Sequence, residues 1–145
     1  MSKEKPDHHD AELMLRVYDL RRESLMRQSR AAVMGQFWPK RYEDLHEIAS
    51  KADHPLNAPL RQVGTYWEMV YAMVRHGIVN PGYFLETNGE GLFLFAKVQP
   101  YLEQYRKDFV PTAYRNAEWV ATESPEGRVS FESISARVKR MAAAR

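Results

Sequence analysis

Three groupings of residues in this chain have the types and spacing that chemistry needs. The first is Glu43-Asp44-Leu45-His46, where a carboxylate and an imidazole three residues apart share one face of a helix. Glu-x-x-His is the unit from which di-iron sites in helical bundles are built, and such a site takes two of these units and two further glutamates. No second Glu-x-x-His occurs, so the pair reads as the polar face of a short helix. The second grouping is His8-His9-Asp10, three metal-capable side chains without the second cluster that would complete a coordination shell. The third is Glu68, alone among the aromatics, methionines and valines of residues 65–77, TYWEMVYAMVRHG, where burial turns a carboxylate into a candidate general base.

The rest of the chain adds little to these. His54 lies in a proline-containing loop, and His76 stands at a helix end, where a protonated imidazole interacts well with the helix dipole. Cysteine is absent, which removes thiol nucleophiles, disulfides and cysteine-based zinc sites and fits a reducing compartment. Serine-nucleophile signatures, phosphate-binding glycine loops and dinucleotide fingerprints are missing, and Gly89-Glu90-Gly91 is a loop before a helix. No catalytic residue, cofactor or metal site is assigned on this basis.

The elements that must position these groups are helical. Residues 11–37 contain no proline, and Leu13, Val17 and Leu20, with Met14, Tyr18 and Leu25 beside them, recur at helical spacing. They predict one long first helix with Asp10 as its N-cap and Trp38-Pro39 as its stop. A shorter helix follows over residues 41–51, with Tyr42, Leu45 and Ile48 on one face. Asn57 or Ala58, with Pro59 in the first turn, then opens the next. In that helix Leu60, Val63, Trp67, Val70, Tyr71 and Val74 form one apolar stripe, and Tyr66, Met69 and Met73 a second, so it should be the central and most buried element. Gly77 should end it in the left-handed conformation, and Asn80-Pro81-Gly82 should turn into a short helical piece at residues 83–86.

From Leu92 the periodicity resumes through Phe95, Val98, Leu102, Tyr105 and Phe109, with Pro100 imposing a kink or break near Gln99. Pro111 reads as the first-turn residue of a helix reaching residue 122, the SPEG stretch at 124–127 as a loop, and Ser130 as the N-cap of a last helix carrying Phe131, Ile134, Val138 and Met141. The expectation is an all-α, single-domain bundle of five to six helices over residues 11–145, preceded by a mobile tail at 1–10. The 145 residues suit one domain, and no apolar run reaches the length of a membrane span.

Charge is unevenly placed. The net charge is +2, yet residues 11–41 carry seven Lys or Arg against three acids, residues 42–127 seven against twelve, and residues 128–145 five against one. The basic ends nominate Arg16, Arg27, Arg30, Arg137, Lys139 and Arg140 as a basic surface, either a solvated face or a patch for a partner. On the central helix Glu68 belongs to the row Arg61, Thr65, Glu68, Ala72, Arg75, the one stripe that is not strongly apolar. A narrow polar seam of this kind predicts a partly buried Glu68 in an ion pair with an arginine of the first helix: Arg16, Arg27 or Arg30.

Three stretches, YDLRRESLMRQSRAAV, VGTYWEMVYAMVRHGIVNPGYF and FLFAKVQPYLEQYRKDF, resemble an uncharacterised, mainly bacterial family of helical domains of unknown function. The matching positions are Trp67-Glu68, Gly77-Ile78-Val79, Phe95, Pro100 and Arg106, and the resemblance spans residues 11–122. It implies a helical fold and transfers no catalytic residue. Many relatives carry an N-terminal membrane helix, which this chain lacks, so no membrane role is carried over.

The sequence reading is therefore a non-catalytic, cytoplasmic helical interaction domain with a protein partner or a second copy of itself, with no cofactor. A nucleic-acid accessory domain using the basic first and last helices is the alternative, and a small enzyme with an unrecognised site the third reading.

Overall fold

A computed structural model describes residues 3–145, and every regular element among them is helical. The chain is cut into more segments than the five to six expected: α1 His8–Arg21, α2 Ser24–Gln36, α3 Tyr42–Ser50, α4 Asn57–Arg75, α5 Pro81–Leu85, α6 Glu90–Val98, α7 Leu102–Asp108, α8 Arg115–Thr122 and α9 Pro125–Ala143. The long first helix is two helices because Glu23 leaves the helical region, with φ −54° and ψ 142°, and its carboxylate accepts the Leu25 and Met26 N–H groups to start α2. Pro100 breaks its helix where expected, in a 3-10 turn Gln99–Tyr101 between α6 and α7. SPEG is not a loop. Ser124 caps α9 by accepting the Gly127 N–H and Pro125 occupies the first helical position, which suits a residue with no N–H to satisfy.

The N-terminus also differs from the expected tail. Asp7, not Asp10, caps α1, and Asp10 closes a capping box at the third helical position. Asp10 is fully buried: its carboxylate accepts the Asn80 N–H at 2.9 Å and the Asp7 N–H at 2.8 Å and pairs with Lys3 at 3.1 Å. Residues 3–10 are thereby tied to the start of α5, while residues 1 and 2 lie outside the described residues.

The core gathers around α4, which packs between α2 and α8, while α6 lies against α8 and α9. Trp67, Tyr71, Val63, Val70 and Val74 of α4 are buried, as the doubled apolar stripe requires. The Tyr71 hydroxyl donates to the Asn88 carbonyl and accepts the Leu92 N–H, so a buried polar atom is satisfied while it ties α4 to the start of α6. Gly77 ends α4 at φ 72°, the left-handed conformation expected of it. Tyr18, Leu20 and Leu25 are exposed rather than inward: with the break at residues 22–23, α1 reaches the core through Val17, Leu13 and Met14 alone.

Candidate functional site

The row Arg61, Thr65, Glu68, Ala72, Arg75 faces α8, and two features of α8 explain what Glu68 does there. Tyr114, immediately before the helix, is the only non-glycine residue at positive φ among the described residues, at φ 58° and ψ 22°. It supplies no side-chain cap, so the first N–H groups of α8 need an acceptor from elsewhere. Glu68 is that acceptor. One carboxylate oxygen takes the Asn116 N–H at 3.1 Å and the other the Ala117 N–H at 2.8 Å, while the Asn116 side chain donates back to the Glu68 carbonyl. A negative charge at a helix N-terminus is also favoured by the helix dipole.

The expected ion pair between Glu68 and Arg16, Arg27 or Arg30 is therefore corrected. Successive helical residues point about 100° apart. Trp67 faces the α2–α6 side, its indole N–H donating to Glu90 at 3.1 Å, and Glu68 is turned toward α8. Arg30 does form a bridge between helices, as a fork on Glu90, with Nε to Oε2 at 2.9 Å and Nη2 to Oε1 at 2.9 Å. Arg16 and Arg27 are exposed on α1 and α2. Among the other proposed basic-surface residues, Lys139 and Arg140 are exposed, and the exposed Arg137 sets its guanidinium over the Phe93 ring, 5.4 Å from its centre.

Glu68 is half-buried, and desolvation raises its pKa above the ordinary carboxylate value even though the two backbone N–H bonds and the charges of Arg115 and Arg106 pull it back. The folded chain thus holds this proton more tightly than the unfolded chain. The charged carboxylate costs stability that develops as pH rises from the ordinary value through the raised one. Glu68→Ala leaves the start of α8 without its acceptor and is expected to cost about 1–2 kcal/mol, with faster amide exchange at Asn116 and Ala117. Unchanged protection of those two amides in the variant would contradict the capping role.

Beside this cap lies a half-open cleft of about 570 Å³ between α3, α4, α7 and the residues leading into α8. Its walls are apolar, from Ile48, Leu60, Tyr105, Phe109 and Val110, and its polar groups come from two sides: Asn57, Arg61, Thr65 and Glu68 of α4, and Tyr114, Arg115 and Asn116 opposite. Gly64 permits the approach of Tyr114, since a Cβ there would stand 3.2 Å from the tyrosine hydroxyl. Burial, with Tyr105 and Glu68 nearby, pushes the Tyr114 hydroxyl well above the ordinary tyrosine range, so it remains a neutral donor and acceptor. The Arg61 Nε donates to Asn57 Oδ1 at 3.3 Å. Arg61 and Arg115 are exposed at the rim.

A family model for a domain of unknown function, DUF4760, matches residues 6–124. The chain belongs to the DUF4760 family. The match includes every residue that lines the cleft and stops just short of α9. No curated protein and no solved structure matches the chain. DUF4760 itself names no activity, so the function of this member must be argued from its own groups.

The remaining candidates fall on other surfaces. Glu43 pairs with Arg41 at 3.4 Å, while the His46 ring lies 5.3 Å from Phe109 and 5.9 Å from Tyr42, so the Glu-x-x-His pair is a helix face in contact with α7. His8 and His9 are exposed in the first turn of α1, and no group of three or more metal-capable side chains occurs among the described residues. His76 is the C-cap of α4.

Sequence reasoning missed a second buried charge. Lys97 is 5% exposed within α6, the most apolar helix, and its Nζ lies 3.4 Å from both the Val33 and Met34 carbonyls, in the last turn of α2. The same ammonium stands 3.8 Å from the ring centre of Trp38 and 5.0 Å from that of Phe93. Burial is the main cause that brings its pKa down, to about 8, with the Arg145 charge adding to it and Glu90 opposing. A charge directly after an apolar run, Leu92-Phe93-Leu94-Phe95-Ala96, was the available signal, much as apolar neighbours drew attention to Glu68.

Proposed function

We propose that this domain is a non-catalytic binding domain whose cleft takes a compact, mainly apolar molecule carrying one acidic group. The observation that carries this reading is the cleft of about 570 Å³, which has apolar walls and a few polar groups converging from α4 and the start of α8. Its volume lies within the range of about 300–1,000 Å³ that small-molecule sites occupy. Arg61 and Arg115 at the rim suit an anionic head, and Ile48, Leu60 and Phe109 suit an aliphatic or aromatic body. Glu68 supports binding rather than proton transfer, because both of its oxygens already accept backbone N–H groups. The left-handed Tyr114 belongs to the same picture: backbone strain of this kind concentrates at ligand sites and is held there by the surrounding structure.

The test uses anilinonaphthalene sulfonate, an apolar fluorophore with one acidic group. Its fluorescence is expected to rise on saturable binding to the native chain. Thr65→Trp, at an exposed position on the cleft wall, is expected to abolish the signal while circular dichroism and the melting temperature hold. Equal binding by both proteins would remove the cleft as the site.

A further inference from the structure

Lys97 borders a second pocket, of about 210 Å³, whose wall combines Trp38, the Gln99–Tyr101 turn and the last turns of α9. Four basic residues line it, Lys40, Lys97, Lys139 and Arg145, and no acidic residue does. None of the four forms an ion pair among the described residues, whose ion pairs lie elsewhere. Lys97 is the buried member and the other three are exposed. The indole N–H of Trp38, a residue of the same wall, is the one buried side-chain polar atom among the described residues with no hydrogen-bond partner.

A structural role accounts for part of this arrangement. The Lys97 ammonium sits against the carbonyl end of α2, where a cation suits the helix dipole, and over the face of Trp38. Both carbonyl contacts are 3.4 Å, beyond the usual range of about 2.7–3.2 Å, so the three donors of the ammonium are poorly used. A buried cation with weak partners, placed where Lys139 and Arg145 bring further positive charge and no acidic side chain lines the pocket, is an arrangement that a bound anion completes.

We propose that this pocket binds a small phosphate-bearing anion, with Lys97 beneath it and Lys40, Lys139 and Arg145 at its mouth. The size fits a phosphate group with a short organic stub and is below that of drug-sized ligands, about 300 Å³ and upward. The site is separate from the cleft beside Glu68, and the two share no lining residue. Because α9 supplies Ser135, Val138, Lys139 and Ala142, and the DUF4760 match ends at residue 124, one wall of this pocket lies outside the family match.

Calorimetric titration of the full chain with inorganic phosphate, at ionic strength held constant with sodium chloride, tests the proposal. One saturable site is expected. Lys97→Met should weaken it about tenfold or more, as loss of a charge-assisted contact does, and Lys139→Glu, at an exposed position that leaves folding intact, should weaken it as well. A glycerol phosphate titration distinguishes free phosphate from a phosphate monoester: tighter binding of the monoester assigns the stub to the pocket, and equal binding assigns free phosphate. Heat no greater than that from chloride, or the same affinity in Lys97→Met as in the native chain, overturns the proposal. A single-stranded oligonucleotide displacing phosphate at far lower concentration overturns it too, since the pocket would then be one edge of a nucleic-acid surface.

Discussion

Gly127→Ala is expected to destabilise the fold by more than about 3 kcal/mol, read as a large fall in the urea midpoint with the slope unchanged. Gly127 lies in the first turn of α9, where the helix crosses α8, and a Cβ there would stand 1.9 Å from the Val120 carbonyl oxygen. The obstacle is backbone, so no side-chain rotamer relieves it, and α9 would have to move away from α8. Gly91→Ala meets the Tyr71 side chain instead, at 2.6 Å and deep in the core. The two sites differ in consequence. Loss at Gly127 opens the pairing of α8 with the start of α9, whereas loss at Gly91 disturbs the tie between α4 and α6. A midpoint for Gly127→Ala within error of the native chain would show that α8 and α9 are not in this close contact.

Lys97→Met acts in the opposite direction and is expected to stabilise the chain by about 1–2 kcal/mol near neutral pH, after allowance for solvent screening at the pocket mouth. The folded-state pKa of Lys97, about 8, lies below the unfolded value of 10.5, so between these two values the unfolded chain binds more protons. Stability of the native chain should therefore rise as pH increases from about 8 to about 10.5, and the charged lysine costs stability below that window. Methionine keeps most of the stem and removes the charge, so its melting temperature at neutral pH should exceed that of the native chain and its alkaline rise should vanish. A lysine that destabilises the fold where it stands is the pattern of a functional group, in which stability is exchanged for binding. Lower stability of Lys97→Met at neutral pH would instead make Lys97 a structural cap of α2.

The fold was legible wherever apolar spacing carries the information. The central helix, its left-handed Gly77 and the break at Pro100 follow from side-chain period and backbone chemistry that act within a few residues. The positions misread were mainly those where a polar side chain chose between two local roles, and the exposure of Tyr18, Leu20 and Leu25 follows from one of them, the break at Glu23. Glu23 resembles an ordinary helix residue until its carboxylate is seen capping α2, and Ser124-Pro125 resembles a loop until it opens α9. Tyr114 gave no sign at all, because its left-handed backbone is imposed by tertiary packing on a residue that does not favour it. Glu68 and Lys97 show the same limit for the sites. Composition marks a charge among apolar neighbours as a partner-seeking group, but the partners are backbone groups of other helices, the start of α8 for one and the end of α2 for the other. Backbone partners carry no residue type, so no pairing rule applied to the sequence finds them.

These two charges also relate structure to function. Each places a charge from a core helix at a helix end of matching polarity, and each stands beside a pocket that its own helix helps to form. The cleft beside Glu68 lies wholly within the DUF4760 match, so a ligand held there uses residues of the shared domain.

The most direct measurement is an amide NMR titration of the full chain with anilinonaphthalene sulfonate. Shifts should concentrate at Thr65, Glu68, Ala113, Asn116 and Ala117, around the cleft and the cap of α8, and saturate with the fluorescence. Shifts gathered instead at Leu15, Leu20 and Leu25, the exposed apolar residues of α1 and α2, with the amides of α8 unmoved, would contradict the assignment of the cleft as the binding site.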